Sequence, residues 1–201
     1  MAQRIWEKTQ AIYQKYKKAW KGPKIPIFIF PMDHTNIGLM KEGKGKSGVS
    51  FKDKLFLFLT PMDDEKKLEA LFVHEYHHVC RMNGQKKRVE DYTLLDSIIL
   101  EGLAEHAVAR HCGEAYTGEW SKRFTKKELG GYWKRYFSGN LSMRRENPLH
   151  DRLLFGLGGR PKLLGYAMGY EIITQYQQQE NFSEKASFQM PSEQFIKDLK
   201  F

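Results

Sequence analysis

The spacing of apolar residues along the chain predicts a short sheet near the N-terminus and a mostly helical remainder. Apolar side chains recur at helical intervals over residues 3–20, and Gly22-Pro23 ends this predicted amphipathic helix. The short apolar run Ile25–Phe30 lies between prolines, which is typical of a strand near the edge of a sheet. Ser50–Thr60 predicts a second strand. The glycine- and lysine-rich stretch of residues 38–48 predicts an exposed loop.

Further helical patterns follow the predicted sheet. Thr60-Pro61-Met62-Asp63 is typical of a helix start, because threonine can cap a helix, proline suits its first position and acidic residues stabilise its positive end. This predicted helix ends at Asn83-Gly84. Two later patterns cover Asp91–Cys112 and Leu163–Tyr176. The sequence therefore predicts an α+β, mostly helical fold with a small N-terminal sheet.

Length and composition favour one compact domain. The chain has 201 residues, of which 41% are hydrophobic, so it can bury a core of its own. We expect a single domain over residues 1–201, with a basic N-terminal helix and loop (1–48), a catalytic core (49–180) and a weakly patterned tail (181–201). No apolar run approaches the ~20 residues of a membrane span, no signal peptide is apparent, and two cysteines make no disulfide framework. These features predict a cytoplasmic protein without a membrane span.

The positive charge of the chain is concentrated in its N-terminal quarter. Residues 1–54 carry 12 Lys or Arg and 4 Asp or Glu, whereas the rest of the chain is almost balanced. Such a basic region could bind phosphates or an acidic protein. A solvated helix face and a mobile loop are the simpler and preferred interpretation, so nucleic acid is not the expected partner.

The most informative segment is His74-Glu75-Tyr76-His77-His78, which is an H-E-x-x-H pattern inside a predicted helix. Residues four apart share one face of a helix, so His74 and His78 can bind one metal ion through their imidazoles. Glu75 lies beside that face and can accept a proton from a water on the metal without being a ligand itself. The pattern therefore indicates zinc-dependent hydrolysis.

A catalytic zinc needs a third protein ligand and an open position. The longer metzincin pattern, H-E-x-x-H-x-x-G-x-x-H, is absent, so we expect a carboxylate from the next helix. Glu101 follows His78 after 22 intervening residues, and Gly102 beside it would permit close approach of helices. Glu105, one turn later, is expected to hold a ligand imidazole by a hydrogen bond. An exchange of roles between these two carboxylates stays open.

The H-E-x-x-H helix and the later Glu101-Gly102-Leu103-Ala104-Glu105 resemble the gluzincin metallopeptidases. With the late segment Gly165-Tyr166-Ala167-Met168-Gly169-Tyr170, they resemble more closely the bacterial family of predicted Zn-dependent proteases known as domain of unknown function 2268. The resemblance spans about residues 45–180. It implies a gluzincin-like or zincin-like metallopeptidase domain, one zinc ion per chain on the two histidines and Glu101, Glu75 as general base, and a peptide or protein as substrate.

Gluzincins usually supply a tyrosine or histidine from a later helix to stabilise the oxyanion of the tetrahedral intermediate. Tyr166 and Tyr170 lie one helical turn apart, and we prefer Tyr170 because Gly169 beside it allows close approach. His150 is the competing donor. Packing of both tyrosine rings in the core is the simpler alternative.

The sequence leaves three further questions open. Leu55–Leu59 is either an edge strand that pairs with an extended substrate or an internal strand of the sheet. Glu75 and His78 also form an E-x-x-H pair, as in di-iron proteins, but no second such pair exists. From a different class, the chain could be a catalytically silent, zinc-stabilised adaptor that binds nucleic acid or an acidic protein through its basic N-terminal quarter.

Overall fold

The computed structural model describes residues 2–32, 46–61, 64–179 and 182–201. These residues form an α+β fold that is mostly helical and contains one three-stranded sheet, which confirms the predicted fold class. Among the helices described, none combines the length and the apolar character needed to cross a membrane.

The chain divides into two compact units, each made of two stretches of sequence. The first comprises Met1–Asn83 and Ala107–Tyr116, and the second comprises Gly84–His106 and Thr117–Phe201. The division of residues 1–201 into a basic region, a catalytic core and a tail within one domain stays a prediction.

The first part of the chain forms two long helices and the sheet. In chain order these elements are α1 (Ala2–Trp20), β1 (Ile27–Pro31), β2 (Lys46–Ser50), β3 (Leu55–Leu59) and α2 (Glu65–Gly84). Helix α1 and strand β1 match the predictions for residues 3–20 and Ile25–Phe30 to within two residues.

The sheet has the strand order β1-β3-β2, with β1 parallel and β2 antiparallel to the central strand. Leu55, Leu57 and Leu59 of β3 are buried on one face, while Phe56 and Phe58 alternate onto the other. Because β3 is paired on both sides, Leu55–Leu59 is an internal strand. The alternative prediction, that its edge receives an extended substrate, is therefore wrong.

The prediction of a loop over residues 38–48 is wrong for its last three residues, because Lys46–Gly48 belong to β2. The rest of that segment, up to residue 45, lies outside the described residues. The single strand predicted over Ser50–Thr60 is instead the second half of a hairpin. The N–H of Phe51 donates to the carbonyl of Lys54 at 3.0 Å and forms the turn, which no glycine or proline signals in the sequence.

Helix α2 begins later than Thr60-Pro61-Met62-Asp63 predicts. Its first residue is Glu65, and a carboxylate oxygen of Asp64 accepts the N–H of Lys66 at 2.9 Å. Asp64 therefore caps the helix in place of Thr60. Met62 and Asp63 lie outside the described residues. The predicted end at Asn83-Gly84 is confirmed.

A charged cluster fastens α1 to α2. The carboxylate of Glu69 on α2 accepts hydrogen bonds from Lys15 Nζ at 2.6 Å and from the Tyr16 hydroxyl at 2.7 Å. Burial raises the pKa of the Glu69 carboxyl, but hydrogen bonds from Lys15, Lys66 and Tyr16 outweigh it and lower this pKa to about 2. Glu69 is therefore ionised at neutral pH and holds the two helices together through their charged groups.

The remaining part of the chain is helical. Its α-helices are α3 (Leu94–Cys112), α4 (Lys126–Tyr132), α5 (Pro148–Leu154), α6 (Leu164–Gln179) and α7 (Glu184–Ser187). Short 3-10 segments cover Val89–Asp91, Glu114–Tyr116, Glu119–Lys122 and Ser192–Ile196, and a π turn covers Trp133–Phe137. Helix α3 contributes residues to both units.

Helix α3 begins at Leu94, three residues after the predicted start at Asp91, and hydrogen bonds between Thr93 and Asp96 fix this start. The N–H of Thr93 donates to Asp96 Oδ2 at 2.8 Å, and the N–H of Asp96 donates to Thr93 Oγ1 at 3.3 Å. This reciprocal cap satisfies backbone donors at the first turn. The helix predicted over Leu163–Tyr176 is observed as α6, which extends to Gln179.

The C-terminal tail is more ordered than its weak pattern predicts. Within residues 182–201, Phe188 and Phe195 are both buried. Ser192 Oγ donates a hydrogen bond of 2.7 Å to Asp96 Oδ1 of α3. The tail therefore completes the core of the second unit, through contacts distant in sequence.

Candidate metal centre

Two histidines of α2 and one glutamate of α3 bring their ligand atoms together. The ring centres of His74 and His78 are 4.6 Å apart, as their spacing of four residues on one helix predicts. Ligand atoms of His74, His78 and Glu101 all lie within 4.8 Å of one another. Within the described part of the chain, this is the one group of three such side chains that could hold a metal ion.

The donor set suits zinc. Two imidazole nitrogens and one carboxylate oxygen are the ligands of many catalytic zinc sites, which keep a fourth position open for water or substrate. Magnesium and calcium prefer oxygen ligands alone. His78 is buried, whereas His74 and Glu101 are partly exposed.

Glu105, the competing carboxylate, lies outside this converging group. It is buried, with 4% of its surface exposed, and its Oε1 accepts the N–H of Gly118. Glu105 therefore anchors the loop that follows α3. The predicted hydrogen bond between Glu105 and a ligand imidazole stays a prediction.

Close packing of α3 against α6 confirms the expectation for Gly102. A Cβ atom added to Gly102 would overlap the backbone of Gly169 on α6, and one added to Gly169 would overlap the carbonyl of Ile98 on α3. The two helices therefore meet at a pair of glycines. This contact holds Tyr170, the next residue of α6, beside the part of α3 that carries Glu101.

Strand β2 contacts the side chain of Glu75. Glu75 is buried, and its carboxylate accepts a hydrogen bond from the hydroxyl of Ser50. The same hydroxyl lies 2.9 Å from the backbone carbonyl of Glu75. A Cβ on Gly48 would collide with the Glu75 side chain, so only glycine leaves room for it there. Gly48 and Ser50 therefore fix where the carboxylate lies.

The sequence pattern did not point to these two residues, because it placed Gly48 in a predicted loop and Ser50 at the start of a separate predicted strand. A signal was present in their spacing. Residues two apart in a strand point to the same face, so Gly48 and Ser50 would have been expected to act together if β2 had been recognised.

The two candidate tyrosines both lie on α6 and both pack against aromatic neighbours. The ring of Tyr170 stacks on His106 of α3, with ring centres 4.1 Å apart. The ring of Tyr166 meets Trp120 edge-on, with ring centres 5.4 Å apart. The preference for Tyr170 as the oxyanion donor stays a prediction.

His150 has structural partners on both ring nitrogens. Its ring is fully buried on α5, with Nε2 3.1 Å from the hydroxyl of Ser97 and Nδ1 2.8 Å from the carboxylate of Asp151. These contacts fix the imidazole inside the second unit. They make His150 a weaker candidate for the oxyanion donor than either tyrosine.

His77 belongs to the core of the first unit, although it stands between the two candidate ligands in the sequence. It is fully buried, and its ring meets Trp20 edge-on at 5.5 Å. Burial lowers the pKa of His77 well below its usual value, and the neighbouring His78 and Arg81 act in the same direction. His77 is therefore neutral at physiological pH.

Comparison with known proteins extends the similarity to almost the whole chain. The family model described as predicted Zn-dependent protease, domain of unknown function 2268, matches residues 5–197. The chain is 40% identical over 183 residues to the uncharacterized protein YjaZ of Bacillus subtilis (strain 168), an alignment that covers 91% of this chain and 70% of that protein. No solved structure gives a significant match. The match includes most of the basic N-terminal region, where no motif had been recognised.

Proposed function

The chain belongs to the family of predicted Zn-dependent proteases, domain of unknown function 2268, and we propose that it hydrolyses peptide bonds as a gluzincin-like metallopeptidase. One zinc ion would be held by His74, His78 and Glu101. The observation that carries this proposal is the convergence of these three ligand atoms within 4.8 Å, with Glu75 next to His74 on the same helix.

Different residues of the chain would have different roles in hydrolysis. A zinc ion at this site would supply Lewis acidity, which polarises the scissile carbonyl and lowers the pKa of water. Glu75 accepts the proton of the attacking water and delivers it to the leaving amine. Ser50 and Gly48 orient the Glu75 carboxylate, one by a hydrogen bond and the other by leaving space.

We assign the oxyanion contact to Tyr170, whose phenol hydroxyl can donate a hydrogen bond to the developing negative charge. The glycine pair Gly102 and Gly169 supports this assignment, because it keeps Tyr170 close to the segment of α3 that carries Glu101. Stacking on His106 restrains the tyrosine ring.

The cysteines favour a reducing compartment. Cys80 and Cys112 are both thiols rather than members of a disulfide, and both are buried. Thiols persist in the cytosol, where disulfides are rare. We therefore propose that the protein acts on peptides or proteins of the cytoplasm.

The proposed function is tested by metal content and metal dependence together. We expect one zinc ion per chain in the purified protein, measured by elemental analysis. A chelator should abolish cleavage of an unfolded protein, and added zinc should restore it. Purification in the presence of zinc that yields a folded protein without bound transition metal would contradict the proposal.

The role of Ser50 gives a separate prediction. Ser50→Ala removes a hydrogen bond to a carboxylate, so kcat should fall by about tenfold. KM and zinc content should not change, because Ser50 orients the general base alone. Ser50→Thr keeps a hydroxyl and should recover most of the lost kcat. A variant that instead raises KM or loses zinc would show that Ser50 supports the fold of the site rather than the base.

A further inference from the structure

Strand β1 has a free edge with hydrogen-bonding groups that no described strand uses. Its other edge bonds to β3, where the carbonyl of Pro26 accepts at 3.1 Å and the N–H of Met32 donates at 2.9 Å. In a parallel pair, alternate residues bond to the same neighbour, so the even-numbered residues face β3. The N–H and C=O groups of Ile27 and Ile29 therefore project from the free edge, where they can pair with another strand.

A groove of about 310 Å³ lies beside this strand, within the first unit. Its lining includes Ile27 and Ile29 of β1 and Trp6 and Tyr13 of α1. The Trp6 side chain is 48% exposed, which is unusual for so large an apolar residue. A segment that pairs with β1 can therefore place every second side chain in this groove.

The opposite face of β1 is also apolar and exposed. Phe28 is 40% exposed and Phe30 is 44% exposed, and the ring of Phe28 stacks on Phe56 of β3 at 5.0 Å. Side chains alternate between the two faces of a strand. A strand added beside β1 would therefore cover these rings with every second residue and fill the groove with the others.

The charge at the groove identifies the chemistry of a partner. Lys17 and Lys24 line the groove, and none of the described residues that line it carries a carboxylate. Residues 1–54 as a whole carry 12 basic and 4 acidic side chains. A second copy of this chain would bring the same lysines against each other, whereas an acidic partner would neutralise them.

We propose that the groove along β1 binds an extended, acidic segment of another protein. The segment adds to the sheet as a fourth strand, and its carboxylates lie beside Lys17 and Lys24. Glu75 is contacted by β2, which forms the opposite edge of the sheet, so this surface is distinct from the catalytic site and does not depend on the proposed activity.

A synthetic peptide of about eight residues with alternating valine and glutamate, blocked at both ends and labelled with fluorescein, is the probe. Its binding to the full chain is measured by fluorescence anisotropy at low salt, and mass spectrometry verifies that the peptide stays intact. We expect saturable binding. The double variant Lys17→Glu/Lys24→Glu should weaken it by about tenfold. Lys126→Glu/Lys127→Glu, which changes the net charge equally at exposed residues of α4, should not.

A second peptide separates strand addition from simple charge attraction. Methylation of alternate backbone nitrogens removes the N–H groups that would pair with β1 but keeps every side chain, and we expect at least about tenfold weaker binding. The proposal would be overturned if the methylated peptide bound as tightly as the unmethylated one. It would also be overturned if the Lys17→Glu/Lys24→Glu and Lys126→Glu/Lys127→Glu variants weakened binding equally. An absence of saturable binding to the first peptide at millimolar concentration would likewise overturn it. Binding of phosphatidylserine vesicles in its place would assign the surface to lipid.

Discussion

Replacing Glu75 with glutamine should keep the fold and the bound zinc but remove most of the peptide-bond hydrolysis. The substitution preserves the shape of the side chain, and Ser50 can still donate to its amide oxygen. The amide cannot accept the proton of the attacking water, so a general-base contribution of about 10²–10⁴-fold in kcat should disappear. Cleavage of an unfolded protein, with zinc measured in the same sample, tests this expectation.

The same variant separates an enzyme from a zinc-stabilised adaptor. In an adaptor, Glu75 would be a helix residue beside a structural metal, and Glu75→Gln would change no function. Glu65→Gln is a suitable control, because Glu65 lies at the exposed start of the same helix. Equal cleavage by wild type and Glu75→Gln would reject Glu75 as the base and point to another source of the activity.

The parts of the site that sequence predicted well depend on local signals. His74, Glu75 and His78 follow from helical spacing and from the chemistry that zinc requires, and α2 indeed carries all three. Gly102 was expected to allow close approach of helices, and it does so against Gly169. The relative positions of residues within one helix can be predicted from their spacing, because helix geometry alone fixes them.

The parts that sequence missed depend on contacts between distant residues. Strand β2 has a weak strand pattern of its own and exists through its pairing with β3, so Lys46–Gly48 were predicted as a loop and Ser50 as the start of a different strand. Without β2, the contact of Gly48 and Ser50 with Glu75 could not be predicted. In the same way, the partner of Glu105 is the N–H of Gly118 in a later loop, which no spacing within α3 could indicate.

The ranking of Glu101 and Glu105 as zinc ligands is the second expected result. Glu101→Gln should lower zinc affinity by about a thousandfold, because it removes one of three ligands from a site whose total binding free energy is on the order of 10–16 kcal/mol. Glu105→Gln should lower it by no more than about 10–100-fold, as changes to residues that support a ligand do. The amide oxygen of a glutamine at this position can still accept the N–H of Gly118.

Competition with a chromophoric chelator measures both affinities on the same scale. Circular dichroism of each variant controls for folding, which matters most for the buried Glu105. Both substitutions remove one negative charge from the same helix, so this general effect on zinc affinity is shared. The larger of the two losses of zinc affinity therefore identifies the ligand. A larger loss in Glu105→Gln than in Glu101→Gln, with both variants folded, would transfer the ligand role to Glu105.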